Sequence, residues 1–221
     1  IWIVGITNAV NLIDGLDGLA VGVSSIAAIT MLAVALLTDN MAIAITMAAL
    51  TGACIGFMPY NLNPAKIFMG DTGSTFLGYM LATVSIMGLF KFYAVISFAV
   101  PFLILGLPIF DTANAIIRRL AEGRSPMSPD RGHVHHKLID MGFNQKQAVA
   151  ILYAISATLG LTAVVLTSSG EVKAVVLLAA VLAAILVGAC IIYGAEHWGK
   201  HPQEQKKHKN EAAQEEKNKH E

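Results

Sequence analysis

Two carboxylates three residues apart, in the run Asn11-Leu12-Ile13-Asp14-Gly15-Leu16-Asp17-Gly18, sit where an apolar stretch would otherwise continue. At that spacing a helical or tightly turned backbone aims Asp14 and Asp17 in one direction. A carboxylate placed in hydrocarbon costs on the order of 2.5 to 3.5 kcal/mol even on lenient insertion scales. The pair, flanked by Asn8 and Asn11, therefore points to a hydrated polar site. A helix end with an Asp cap and turn glycines accounts for either carboxylate taken singly.

A second cluster, Phe68-Met69-Gly70-Asp71-Thr72-Gly73-Ser74, is a glycine-spaced turn that opens a long apolar helix, so its backbone amides can face a bound anion. Asp71 has two compatible roles there. It can cap a helix running from Ser74 to Phe90, and it can be a hard oxygen ligand for Mg²⁺, which takes one or two carboxylates and completes its shell with water and phosphate oxygens.

The third cluster runs from Arg118 to Lys137 and holds Arg118, Arg119, Arg124 and Arg131 with His133, His135 and His136. Guanidinium forks match phosphate oxygens, and imidazoles donate hydrogen bonds or move protons near neutral pH. A positively charged loop that only sets membrane orientation explains the arginines singly but not the histidines. Zinc on His133, His135 and His136 ranks below phosphate binding, because no cysteine or further nearby histidine completes the usual set. Asp111, just ahead of this cluster, either pairs with Arg118 and Arg119, shapes the site, or is a solvated helix end.

The elements that must position these residues are transmembrane. Of 221 residues 55% are hydrophobic and 14% charged, with a mean hydropathy of +0.63, too apolar for an ordinary soluble domain. Nearly every charge lies outside the apolar runs. The fold class expected is all-α, a polytopic transmembrane helical bundle. It has about six complete spans, near Leu19–Leu37, Met41–Met58, Ser74–Phe90, Phe92–Phe110, Ala148–Thr167 and Val172–Tyr193, plus a partial one at the start. Pro59, Pro64, Pro101 and Pro108 are expected at helix ends or kinks. Residues 1–195 form the membrane domain and residues 196–221 a polar, solvated tail. Cys54 and Cys190 lie within apolar runs and read as packing residues. The apolar opening without a Met is expected to continue from missing upstream sequence.

Two spans separate each polar cluster from the next and the last cluster from the tail, so all of them share one side. Lys66, Arg118, Arg119, Arg124, Arg131, Lys137, Lys146 and the six tail lysines fall on that side, leaving Lys91 and Lys173 opposite. Positive residues mark the cytoplasmic face, so the site is expected at the cytoplasmic side of a cell membrane.

With these residues in place, the chain resembles the polyprenyl-phosphate N-acetylhexosamine-1-phosphate transferases, the group containing the WecA, TagO and MraY enzymes. The likeness rests on NAVNLIDGLDGLA at Asn8–Ala20, FMGDTGS at Phe68–Ser74 and SPDRGHVHH at Ser128–His136, with PIFDTANAIIRR between the last two. The His-x-His-His form after Pro-Asp-Arg is similar to the branch that transfers GlcNAc-1-phosphate from UDP-GlcNAc to undecaprenyl phosphate and releases UMP, as in teichoic acid-type polymer initiation. The resemblance implies that Asp71 is the Mg²⁺ ligand, with Mn²⁺ as substitute, and that Asp14 and Asp17 belong to the nucleotide-sugar pocket. It implies catalytic roles for Asp14, Asp17, Asp71, His133, His135 and His136, and substrate contacts from Asn11, Asn61, Phe68, Arg118, Arg119 and Arg131. The partners implied are UDP-GlcNAc, undecaprenyl phosphate and the bilayer, with no nucleic acid and a homodimer as the candidate assembly.

One departure stands out. The family also carries an adjacent Asp-Asp pair on an earlier loop, and no such pair occurs in this sequence, so these 221 residues alone are expected to be inactive. The alternatives are a phospho-MurNAc-pentapeptide transferase, a membrane transporter, and a purely structural membrane subunit. Transporter sites lie near the bilayer midplane between opposed repeats, and no internal repeat occurs here.

Overall fold

The helix Leu19–Leu37 is apolar around its whole circumference and rich in small residues, from Ala20 and Gly22 through Ser24, Ser25, Ala27 and Ala28. Such a helix can be approached closely from every side, and it becomes the hub of the bundle. The computed structural model describes residues 1–89, 94–125, 128 and 132–168, with the side chains of 89 and 94–98 excepted. All described residues fall in one unit, Ile1–Val175.

The elements in chain order are α1 (Trp2–Leu12), α2 (Leu19–Leu37), α3 (Met41–Asn61), α4 (Gly70–Leu89), α5 (Ala94–Ile104), α6 (Gly106–Ala121), α7 (Val134–Asp140) and α8 (Gln145–Ser168). Among the described residues there is no strand, so the chain is the expected all-helical bundle. By length and composition α2, α3 and α8 can each cross a membrane, and α1 is a shorter apolar helix. The expected span Val172–Tyr193 and the tail from Glu196 lie outside the described residues.

Close contacts set the helix directions. A Cβ added at Gly22 of α2 would run into Tyr153 of α8, and one at Gly160 of α8 would run into Thr30 of α2. Both numbers rise together along the two helices, so α2 and α8 are parallel. In α1 and α4 the pairs run oppositely. Trp2 donates its indole N–H to Ser85, a Cβ at Gly78 would meet Thr7, and Ser74 donates to Asn11. Gly88, near the end of α4, packs on Ile43, near the start of α3. Consequently the end of α1, the start of α2, the end of α3 and the starts of α4 and α8 share one end of the bundle.

Three expectations need correction. The single span Phe92–Phe110 is two helices, broken at Leu105. Pro108 has no N–H to donate back to Ile104 and its ring crowds that carbonyl, so the helix restarts at Gly106 with Pro108 in its first turn. Helix α6 then runs on to Ala121 and carries Asp111, Arg118 and Arg119 inside it. The helix expected from Ser74 begins at Gly70, which puts Asp71 within its first turn rather than ahead of it. Finally, the polar stretch after Arg118 is not all loop, because His135 and His136 stand on the short helix α7.

Candidate functional site

The turn between α1 and α2 is pinned at Gly18, whose left-handed backbone (φ 80°) a side chain would strain. The Gly18 N–H donates to Oδ1 of Asn61 at 3.2 Å, and its carbonyl accepts the hydroxyl of Tyr153. Asn61 is buried at the end of α3, and its Nδ2 donates to the carbonyl of Ile67 at 3.0 Å. One amide thus joins the acidic turn to the segment leading into Asp71.

Asp17 is held from the same segment. Its Oδ2 accepts Nδ2 of Asn63 and the backbone N–H of Ala65, both at 3.0 Å. Asn63 also reaches Oε1 of Gln145 at the start of α8, at 2.8 Å. Asp14 faces elsewhere. Burial pushes its carboxyl above the usual carboxylate range, and the negative charge of Asp71 pushes it further the same way. Asp14 and Asp71, from motifs far apart in sequence, are therefore electrostatic neighbours. Asn11, on the last turn of α1, accepts the hydroxyl of Ser74 from the first turns of α4 and locks these two acidic segments together.

The histidine motif closes over this turn. His135 is buried, and its Nε2 has no hydrogen-bond partner and lies so near Gly15 that a Cβ there would stand 2.5 Å from it. Burial, reinforced by the neighbouring His136, holds His135 down to about 4, against a weaker upward pull from Asp111, so the ring is neutral at pH 7. The rings of His133 and His135 stack nearly parallel with centroids 5.7 Å apart, and His136 lies 4.2 Å beyond His135. Asp111 of α6 accepts Nδ1 of His133 at 2.8 Å and the backbone N–H of Val134 at 2.7 Å.

Helix α6 buries Leu107, Pro108, Asp111, Ala115 and Arg119, a three-to-four-residue spacing that puts them on one face. Asp111 is thus an interior group and not a solvated helix end. Arg118 lies against Gly132, where any side chain would collide with its guanidinium. Arg124 pairs with Glu122 at 2.8 Å on the surface, a contact of little energetic weight. Phe68 is 75% exposed. With Met69, Gly73, Phe76 and Leu77 it edges an apolar cavity of about 260 Å³ against α2 and α3. Arg131 lies outside the described residues.

Among the described residues no three His, Cys, Asp or Glu side chains are grouped to hold a metal. The zinc arrangement of the three histidines is not formed, since His133 is committed to Asp111 and stacked face to face with His135. The donor set at Asp14 and Asp71 is of another kind. A partly buried carboxylate, Asp14, beside an exposed one, Asp71, suits a hard divalent cation that takes the rest of its shell from water and a bound phosphate.

Sequence reasoning missed Asn63, Ser74, Gln145 and Tyr153 as ties between the motifs. Asn63 carries a visible signal, a polar side chain five residues ahead of the FMGD run at Phe68–Asp71. Tyr153, an aromatic within an apolar span, reads as ordinary core.

The description "Glycosyl transferase family 4" matches residues 1–89. A probable undecaprenyl-phosphate N-acetylglucosaminyl 1-phosphate transferase of Bacillus subtilis is 46% identical over 169 residues, 76% of this chain and 47% of that protein. A decaprenyl-phosphate N-acetylglucosaminephosphotransferase of Mycolicibacterium smegmatis is 41% identical over 172 residues, covering 68% and 42%. A phospho-N-acetylmuramoyl-pentapeptide-transferase of Staphylococcus haemolyticus is 37% identical over 166 residues, covering 72% and 48%. The chain spans a little under half the length of each of these relatives.

Proposed function

We propose that the chain, whose residues 1–89 match glycosyl transferase family 4 and whose relatives above are polyprenyl-phosphate sugar-phosphate transferases, belongs with them and is the site-bearing membrane portion of an enzyme that transfers GlcNAc-1-phosphate from UDP-GlcNAc to undecaprenyl phosphate. The product is a lipid-linked pyrophosphoryl sugar of the kind that starts cell-wall or surface polymers such as teichoic acid. The observation that carries this reading is the convergence of the Asp14 turn, the Asp71 turn and His135 at one end of the bundle, from three stretches far apart in sequence, through the bond of Ser74 to Asn11 and the contact of His135 with Gly15.

In the reaction a phosphate oxygen of the lipid attacks the phosphorus that bears the sugar. The bond from that phosphorus to the UMP oxygen breaks, and UMP leaves with the electron pair. Two anions must approach one another, so charge neutralisation dominates the barrier. Asp71, with Asp14 beside it, would hold Mg²⁺ or in its place Mn²⁺, and the cation would supply charge neutralisation on the diphosphate. Arg118, Arg119 and the three histidines bind phosphate oxygens, and Arg131, from the same sequence motif, is a further phosphate contact. Asp17, Asn11 and Asn61 fix the walls of the nucleotide-sugar pocket, and the exposed ring of Phe68 offers a flat face to the base. The excess of basic residues on the loops supports a cytoplasmic location for this end of the bundle, where a soluble nucleotide and a lipid phosphate would meet.

The 37% identity to a muramoyl-pentapeptide transferase supports a second reading with another sugar. A radiolabelled UDP-sugar assay on the full-length enzyme with undecaprenyl phosphate decides between them. UDP-GlcNAc is expected to give labelled lipid and UMP, dependent on Mg²⁺ and lost in Asp71→Asn. Release of UDP, or use of UDP-MurNAc-pentapeptide alone, overturns the first reading.

A further inference from the structure

We propose that Asp111 is a positioning residue for this reaction, orienting His133 so that its Nε2 is the atom offered to the substrate's phosphates. The inference rests on the transferase reading and on a geometry that reading does not use. Asp111 is 3% exposed and His133 is 5% exposed, so neither is at liberty to find partners in water. Both carboxylate oxygens are engaged. Oδ2 takes His133 Nδ1 at 2.8 Å, and Oδ1 takes the Val134 N–H at 2.7 Å.

An ionised carboxylate only accepts hydrogen bonds. With Asp111 as the ionised acceptor, Nδ1 of His133 carries the hydrogen of this contact. The remaining nitrogen, Nε2, is then the one atom through which the ring can gain, lose or share a proton. The second bond matters as much. Val134 is the first residue of α7 and His133 its N-cap. One carboxylate thus fixes both the ring and the backbone from which His135 and His136 are displayed. From Asp111 the chain of contacts runs through His133 to the nearly parallel ring of His135, which meets the acidic turn at Gly15, with His136 tilted 43° against that ring.

The placement of Asp111 follows from the sequence of α6. Its buried face repeats at Leu107, Asp111, Ala115 and Arg119, so an acidic group at this position points inward at the α7 start by helix periodicity alone. An apolar residue there would pack equally well and leave the Val134 N–H and the His133 ring without their acceptor.

The test compares Asp111→Asn and Asp111→Glu with wild type in the full-length enzyme. Steady-state UMP release is measured, together with ¹⁵N NMR of histidine-labelled protein, in which His133→Gln assigns the signal. Asparagine keeps the size and the Val134 bond but donates to Nδ1, which moves the ring hydrogen to Nε2. Asp111→Asn is expected to lose about 10²–10⁴-fold in kcat, on the precedent of the aspartate-to-asparagine change beside a catalytic histidine. Its KM for the nucleotide sugar should stay within about threefold of wild type. Asp111→Glu is expected to recover at least about tenfold of that loss. The His133 signal should read Nδ1–H in wild type and Nε2–H in Asp111→Asn. Wild-type kcat in Asp111→Asn, or an Nε2–H ring in the wild-type enzyme, overturns the proposal. The NMR arm needs no turnover, so it judges the positioning role even if the wild-type enzyme makes no UMP, the result that would sink the transferase reading instead.

Discussion

Replacing Gly15 by alanine probes the contact on which the shared site depends. The new Cβ would stand 2.5 Å from Nε2 of His135 and 3.0 Å from Cε1, whereas ordinary contact begins near 3.4 Å. The ring must retreat by about 0.9 Å or the acidic turn must open by as much. His135 has little room to yield, since it is 3% exposed and sits between His133 and His136. Gly15 is not among the glycines with positive φ, so the backbone itself accepts alanine and the penalty is steric. Overpacking of this kind costs about 1–3 kcal/mol, and a displacement near 1 Å in a reacting constellation costs about 10²-fold in rate. The assay is the initial rate of UMP release by the full-length enzyme. Gly5→Ala serves as control, because nothing lies within 4 Å of that position in α1 and alanine favours a helix interior by roughly 0.5–1 kcal/mol. Gly15→Ala is expected to lose about 30- to 100-fold in kcat while Gly5→Ala keeps its activity and melts no earlier than wild type. Full activity in Gly15→Ala would refute the reasoning.

Further outcomes follow from the same geometry. Tyr153→Phe removes one hydroxyl from the Gly18 carbonyl and should lower stability by about 0.5–1.5 kcal/mol, read as an earlier thermal midpoint. Asn61→Ala strips partners from both the Gly18 N–H and the Ile67 carbonyl, so its loss should be the larger, about 1–3 kcal/mol for each orphaned group. The folded-state value of His135, about 4, is below its ordinary 6.5. The stability it permits is therefore whole above about pH 6.5 and drains away as pH falls toward about 4, by at most on the order of 3 kcal/mol. Thermal midpoints taken across that window should fall in wild type and fall less in His135→Asn.

The residue classes and the common face of the site were legible in the sequence, because membrane spans force polar clusters to the ends and parity then decides which ends coincide. The acidic turn and the Asp71 segment were read as one pocket, and Asn61 and Asn63 tie them as neighbours in space. What escaped was anything decided by packing between distant segments. The bond from Tyr153 to Gly18 spans 135 residues, and nothing local to Tyr153 marks it. The break at Leu105 was hidden because the apolar run continues across it. Only Pro108 hinted at a restart, and two helices end to end have the composition of one. For Asp111 the sequence left open a pairing with the arginines, a place in the site and a solvated helix end, because the apolar run stops there, whereas α6 continues and turns the carboxylate inward.

The claim beneath all of this is that two acidic segments and one histidine segment grip a single diphosphate. Anomalous diffraction from the full-length enzyme crystallised with Mn²⁺ and UDP-GlcNAc examines it directly. The expected result is a manganese peak between Asp14 and Asp71, with the diphosphate running from that ion to the imidazoles of the α7 start. A manganese ion elsewhere, or a nucleotide bound out of reach of those imidazoles, would contradict it.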